Sequence, residues 1–402
     1  MRGNAGAEIS RGWRLALACA TAIVVLADLG VAAAAVRHVG QWDFVCFWLY
    51  GHAVAAHANV YAPQTFAELA LPVPVDVAFR REILGVGFPY PPPSIVLFAP
   101  LGAFANLRLA SLLWMTLQLG ALGGAIALLA RGAGAARGLA IAAFALALPS
   151  TAIGLGLQQT TPLALLAVVV AGGGAPRGGI ARGVARGVAA GLAVIVKPVL
   201  VVVPLWLALR RRGSAFLAAL VTLALATATA FPLIGPGGLA SYRAENPAAR
   251  LPAGVFSESG AASLYAALLR ARGDVGSFAG PLHDATFVTL AAVATLVTLG
   301  LTLRAQAAGG DLTLGLWIAL GLALYPGTGA AYALLLVPSA VALARRLPAA
   351  RGALAAAIAF ALVTLTAAEG PGSFAAIAVL WLTLATTLGL RLRPARRPVP
   401  AV

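Results

Sequence analysis

The chain has 402 residues, 61% of them hydrophobic and only 10% charged, with a mean hydropathy of +0.94. A soluble domain carries about 25% charged residues, so the numbers exclude an ordinary soluble enzyme. They predict an all-α polytopic membrane protein in which one helical domain uses residues 1–402. The net charge of +16 does not point to nucleic acid. All but one of the 28 basic residues are arginine, set in small groups between apolar runs, the positive-inside pattern of short cytoplasmic loops.

Trp13 to Val36 is the first apolar run, preceded by Arg2 and Arg11. It exceeds the signal-peptide core of about 7–15 residues, so it is expected to remain as a membrane helix with a cytoplasmic N-terminus. Asp28 lies inside it, where a charge faces a cavity or a partner, or else reaches up to the interface. Residues 37–92 follow as the first extracytoplasmic loop, which opens on Gln41-Trp42-Asp43-Phe44-Val45-Cys46-Phe47-Trp48-Leu49-Tyr50. A single carboxylate among aromatic rings at the lip of an apolar cavity can act as a base; a solvated loop aspartate is the alternative. Further on, Glu68, Asp76 and Glu82 share the loop with Arg80 and Arg81, which suits local ion pairing. The loop closes on Phe88-Pro89-Tyr90-Pro91-Pro92-Pro93, whose prolines impose an extended entry. The next apolar run, to Phe104, is too short to cross and is expected to be a re-entrant or half-span helix.

Apolar segments then recur to residue 391, for about ten full spans in all, both termini inside and residues 391–402 forming a basic cytoplasmic tail. Arginines flank 187–209 on both sides, which a single crossing cannot satisfy. Two short helices broken at Lys197-Pro198, dipping in and returning, resolve the conflict. Residues 233–282 form a second extracytoplasmic loop containing Glu245, Asn246 and Ser257-Glu258-Ser259. Within it, Ala261 to Leu269 reads as a helix lying on the membrane or packed on the bundle.

Lys197 is the only lysine, and an ammonium in an apolar hairpin calls for an anionic partner such as a lipid phosphate, or else for snorkelling to the headgroups. Gln158-Gln159, between a glycine-rich turn and Pro162, suits sugar hydroxyls or an ordinary turn. Cys19 and Cys46 lack disulfide or metal spacing, and His38, His52, His57 and His283 form no H-E-x-x-H, so no metal site is expected. Nucleotide-binding fingerprints and a G-x-S-x-G elbow are absent.

Asp43-Phe44 with Phe47-Trp48, Asn59-Val60-Tyr61, Tyr90-Pro91-Pro92, Gly156-Leu157-Gln158, Lys197-Pro198 and Ser257-Glu258-Ser259 occur in this order. Together they resemble the family-87 glycosyltransferases, polytopic enzymes of the GT-C fold that include polyprenyl-phosphomannose-dependent mannosyltransferases. The resemblance implies inverting transfer of a hexose from a polyprenyl-phosphate sugar to a lipid or glycan acceptor at the outer face of the plasma (inner) membrane. It implies Asp43 as catalytic base and Lys197, Arg80 or Arg81 at the donor phosphate. Trp42, Phe44, Tyr61, Tyr90, Gln158, Gln159, Glu258 and Tyr325 are the candidate substrate contacts. Two departures are visible: the late outer loop reads Tyr325-Pro326-Gly327-Thr328-Gly329 where relatives often carry histidine or a polar cluster, and Glu258 replaces a common amide. The partners implied are membrane lipids, the lipid-linked sugar and its acceptor, with no nucleic acid and no cofactor beyond the donor; whether a divalent metal assists is left open. A transporter or lipid flippase without chemistry is the rival reading, since transporters also place broken helices and charges within the membrane.

Overall fold

The computed structural model of the chain describes residues 11–38, 42–70, 90–173, 179–245, 260–273, 280–305, 310–346 and 352–391. Among these the ordered elements are helices, and the sole β feature is an isolated bridge between Ala261 and Gly329. The first half runs α1 (Arg11–Arg37), α2 (Trp42–Ala55), α3 (Pro63–Ala70), α4 (Pro92–Ala103, with 3-10 ends), α5 (Leu107–Ala130), α6 (Ala135–Ala147), α7 (Pro149–Gly156) and α8 (Thr161–Gly172). The second half runs α9 (Ile180–Val196), α10 (Pro198–Leu209), α11 (Gly213–Leu233), α12 (Gly238–Glu245), α13 (Leu264–Arg272), α14 (Ala285–Arg304), α15 (Gly310–Leu324), α16 (Val337–Arg346), α17 (Gly352–Thr366) and α18 (Glu369–Arg391).

Among the described residues five helices, α1, α5, α11, α14 and α18, are long and apolar enough to cross a membrane. The pair α6–α7 makes a sixth if it is one span, bent by 58° where Pro149 removes an amide donor. These helices expose Leu26, Leu109, Leu112, Leu225 and Leu296 to their surroundings, which is stable only against lipid. The other runs read from the sequence as full spans form shorter helices, some unbroken, as Thr161–Gly172, Gly310–Leu324 and Gly352–Thr366, and some divided. The run 330–345, for instance, is a 3-10 turn (Ala330–Leu336) leading into α16.

The polar contacts gather at two ends of the bundle. At one, Arg212 lies beside Arg186 and Arg210, Arg210 donates to the Ala305 carbonyl, Arg346 pairs with Asp311, and Arg345 reaches the Leu129 carbonyl. At the other, the Val60 amide donates to the Ile234 carbonyl, Asn59 donates to Ser241, and the Ala262 amide donates to the Thr328 carbonyl. Of the arginines assigned to one face from the sequence, Arg186, Arg210, Arg212, Arg345 and Arg346 are thus found at the first of these ends.

The expected hairpin at Lys197-Pro198 is present. Gly183, Gly187 and Gly191 of α9 face Ser214, Ala215 and Thr222 of α11 in ascending order, so the two helices run in the same direction. Since α9 and α11 start at the same end, α10 has to carry the chain back between them. The glycines at every fourth position let the backbones approach until a methyl at Gly187 would meet the Ala215 carbonyl. The apex of the hairpin, Lys197, is thereby held at the loop-rich end, where Ser94 of α4 donates to the Ile195 carbonyl at 2.7 Å.

Two further contacts position the first loop. Gly51 of α2 and Gly102 of α4 meet backbone to backbone, with no space for a Cβ on either. Trp48 Nε1 donates to the Phe104 carbonyl at 2.8 Å, and the His52 ring lies tilted against that tryptophan. Asp28 turns into the bundle, 5% exposed, and its Oδ2 has no hydrogen-bond partner. Residues 264–272 form a helix packed on the bundle, with Tyr265 edge-on to Phe287 at 5.6 Å.

Candidate active site

Asp43 is the second residue of α2, where the exposed amides of a helix start favour a carboxylate. The stretch read as loop is helical because its apolar residues are wanted inside: Phe44, Phe47, Leu49 and Tyr50 are all fully buried. Phe47 stacks on Phe98 at 4.3 Å, and Phe44 lies against Trp114 at 6.4 Å. These rings are core, so they form a wall behind the carboxylate and no membrane belt. Asp43 itself stays partly exposed while its Oδ2 is buried without a hydrogen-bond partner. Burial holds its carboxyl above the usual carboxylate range; the Lys197 charge and a hydrogen bond from Gln159 pull it back down.

Lys197 is 1% exposed and does not snorkel. Its Nζ lies 3.7 Å from the centre of the Tyr332 ring and 3.4 Å from Gln159 Oε1. An ammonium over an aromatic face is stabilised by the ring quadrupole, by about 2 kcal/mol or more when desolvated. Gln159 therefore stands between the two charges: its carbonyl oxygen accepts from Lys197, and its side chain acts on Asp43 to lower the carboxyl pKa. Thr161 Oγ1 adds a second donor to the same oxygen at 3.3 Å.

The paired glutamines part company. Gln158 takes a left-handed backbone (φ 54°) in the turn between α7 and α8, and its side chain is buried against Ser111 Oγ at 2.8 Å. Its carbonyl accepts from Trp114 Nε1 at 2.9 Å, so Gln158 holds the turn while Gln159 faces the charges. Tyr90 closes another side, edge-on to Phe47 and Phe98. Tyr61 is fully buried; its hydroxyl donates to the Tyr90 carbonyl at 3.2 Å and its ring meets Tyr242 at 4.9 Å. Tyr325 sits in the turn after α15, which is zipped to the second loop by the Ala330 amide donating to the Gly260 carbonyl.

Trp42 opens α2. Arg80, Arg81 and Glu258 lie outside the described residues. Tyr332 was missed by sequence reasoning: it lies inside an apolar run, and nothing in that run marks it as the platform under Lys197. Among the described residues no three His, Cys, Asp or Glu side chains come together as a metal site would need.

The model of glycosyltransferase family 87 matches residues 88–320, more than half of the chain. The chain belongs to glycosyltransferase family 87. It is accordingly a membrane glycosyltransferase, and the transporter reading falls away. No curated protein and no solved structure matches it. The family-87 match contains Tyr90, Gln159 and Lys197 but begins after Asp43. What ties Asp43 to the family region is the tertiary contact with Gln159 and Lys197.

Proposed function

We propose that this family-87 enzyme transfers a hexose from a polyprenyl-phosphate donor to a hydroxyl of a lipid or glycan acceptor, with inversion, at the end of the bundle that carries Asp43. The observation that supports it is the Asp43–Gln159–Lys197 array, a carboxylate and a buried ammonium separated by one amide. Asp43 accepts the acceptor's hydroxyl proton as the oxygen attacks the anomeric carbon. The bond from that carbon to the phosphate oxygen breaks on the opposite face, and polyprenyl phosphate departs with the electron pair. Lys197 offsets the charge that develops on the phosphate. Its ammonium has three donors, and one points at Gln159. We place the reaction at the exterior face of the plasma membrane because the opposite end of the bundle collects the arginine groups.

The test is incubation of purified enzyme with a panel of radiolabelled polyprenyl-phosphate sugars, scoring release of polyprenyl phosphate. One hexose donor is expected to turn over, and Asp43→Asn to lower that rate by about 10²–10⁴-fold while donor binding survives. Turnover with nucleotide sugars alone rules out the lipid-linked donor. A folded Asp43→Asn protein working at the wild-type rate removes Asp43 as base.

A further inference from the structure

Away from Asp43, one groove combines open space with charge. It lies between the end of α1 and the start of α5, is lined by Val36, Arg37, Asn106, Arg108, Leu109 and Leu112, and has a volume of about 460 Å³. Arg37 is the last residue of one candidate span and Arg108 the second of another, so both guanidiniums stand where spans leave the apolar layer. This is the Asp43 end of the bundle, since Trp48 of α2 donates to the Phe104 carbonyl just before α5. Both arginines are exposed, and among the described residues neither pairs with a carboxylate. Elsewhere Arg272 has Asp284 and Arg346 has Asp311. Below the two cations, Leu109 and Leu112 are 48% and 51% exposed toward the bilayer.

We infer that this groove seats the phosphate monoester of a polyprenyl phosphate, the lipid left behind by the transfer, an inference that rests on the lipid-linked donor proposed above. Charge selects this occupant. A phosphate monoester carries about −1.5 to −2 at pH 7, which two otherwise unpaired guanidiniums match, whereas the donor and ordinary phospholipids are diesters with a single negative charge. Guanidinium forks also suit phosphate oxygens geometrically. The leucines below continue the groove along α5 as an apolar track for the prenyl chain. Position agrees with departure from the site. Trp114 of α5 lies against Phe44, next to Asp43, while Leu109 and Leu112 of the same helix line the groove, so α5 separates the reaction space from an exit on its lipid side.

The experiment is equilibrium binding of undecaprenyl phosphate in neutral phosphatidylcholine nanodiscs, with phosphatidylglycerol as diester competitor. The proteins are wild type, Arg37→Gln/Arg108→Gln and Lys197→Ala. Wild type is expected to bind two lipids and each variant one. The arginine variant keeps its wild-type initial rate and melting temperature, yet loses at least tenfold of its inhibition by added undecaprenyl phosphate. Phosphatidylglycerol should compete at least tenfold more weakly than the monoester. Unchanged stoichiometry in the arginine variant overturns the inference, as does equal competition by phosphatidylglycerol, which makes the groove a general anionic-lipid surface. Failure of the donor reading looks different: wild type and Lys197→Ala then bind alike, with the groove site retained in both.

Discussion

At the scale of single residues, the proposed role of Asp43 as base requires its carboxylate form, and its surroundings push both ways. Burial raises its pKa, while Lys197 and Gln159 lower it. The acid limb of kcat/KM is therefore expected above the ordinary carboxylate value of about 4. Gln159→Leu removes one of the two lowering influences, so Asp43 holds its proton to higher pH and the acid limb moves up. At neutral pH the loss of the amide that accepts from Lys197 should cost about 10- to 100-fold in rate, from about 1.5–3 kcal/mol for a hydrogen bond to a charged group. Gln158→Leu provides the contrast. It should lower stability through Ser111 without moving the pH profile. A pH–rate series on the two variants decides the matter, and an acid limb unmoved by Gln159→Leu would mean that Asp43 titrates independently of it.

Among elements, the site depends on how closely α2 approaches α4. Gly102→Ala places a methyl on the Gly51 carbonyl, inside a contact between two backbones that cannot rotate away. Such overpacking costs about 1–3 kcal/mol, and because α2 carries Asp43 the variant should lose activity along with melting temperature. Gly123→Ala in α5 meets nothing within 4 Å and should be neutral or slightly stabilising, since alanine is favoured over glycine in a helix by about 1 kcal/mol. Thermal unfolding in detergent, with activity measured on the same preparations, tests the pair. Equal melting temperatures for the two variants would contradict the close contact. The same logic explains α9, where glycines at 183, 187 and 191 allow the hairpin to lean on α11 and raise Lys197 to the site.

For the whole molecule, Arg186, Arg210, Arg212, Arg345 and Arg346 gather at the end away from the Asp43 loops, and the positive-inside tendency predicts that this end is cytoplasmic. In a variant whose Cys19 and Cys46 are replaced, a cysteine at Arg211 is expected to react only with cytoplasmic reagent. A cysteine at Ser241, beside Asn59 in the loop-rich end, is expected to react from outside intact cells. Labelling of position 211 from outside inverts the arrangement and moves the proposed reaction to the cytoplasmic face.

Much of this was legible in the order of residues. An apolar content of 61% with scattered arginines required a helical membrane bundle, and arginines on both flanks of 187–209 required a return at Lys197-Pro198. Asp43 and Lys197 stood out because isolated charges in apolar surroundings are costly. The number of long spans was less legible, since hydropathy alone does not say whether a proline bends a helix, as at Leu148-Pro149, or turns it back, as at Pro198. Neighbouring helices decide that, through contacts such as α9 against α11. Side-chain direction was the other unreadable quantity. Gln158 and Gln159 are identical in composition and adjacent, yet the left-handed backbone at Gln158 turns one toward Ser111 and leaves the other between Asp43 and Lys197. Tyr332 lies 135 positions beyond Lys197 and comes under its ammonium only after the hairpin and the turn before α16 have packed. Local residue types specify which groups are expensive to bury; only the tertiary packing specifies which other groups compensate them.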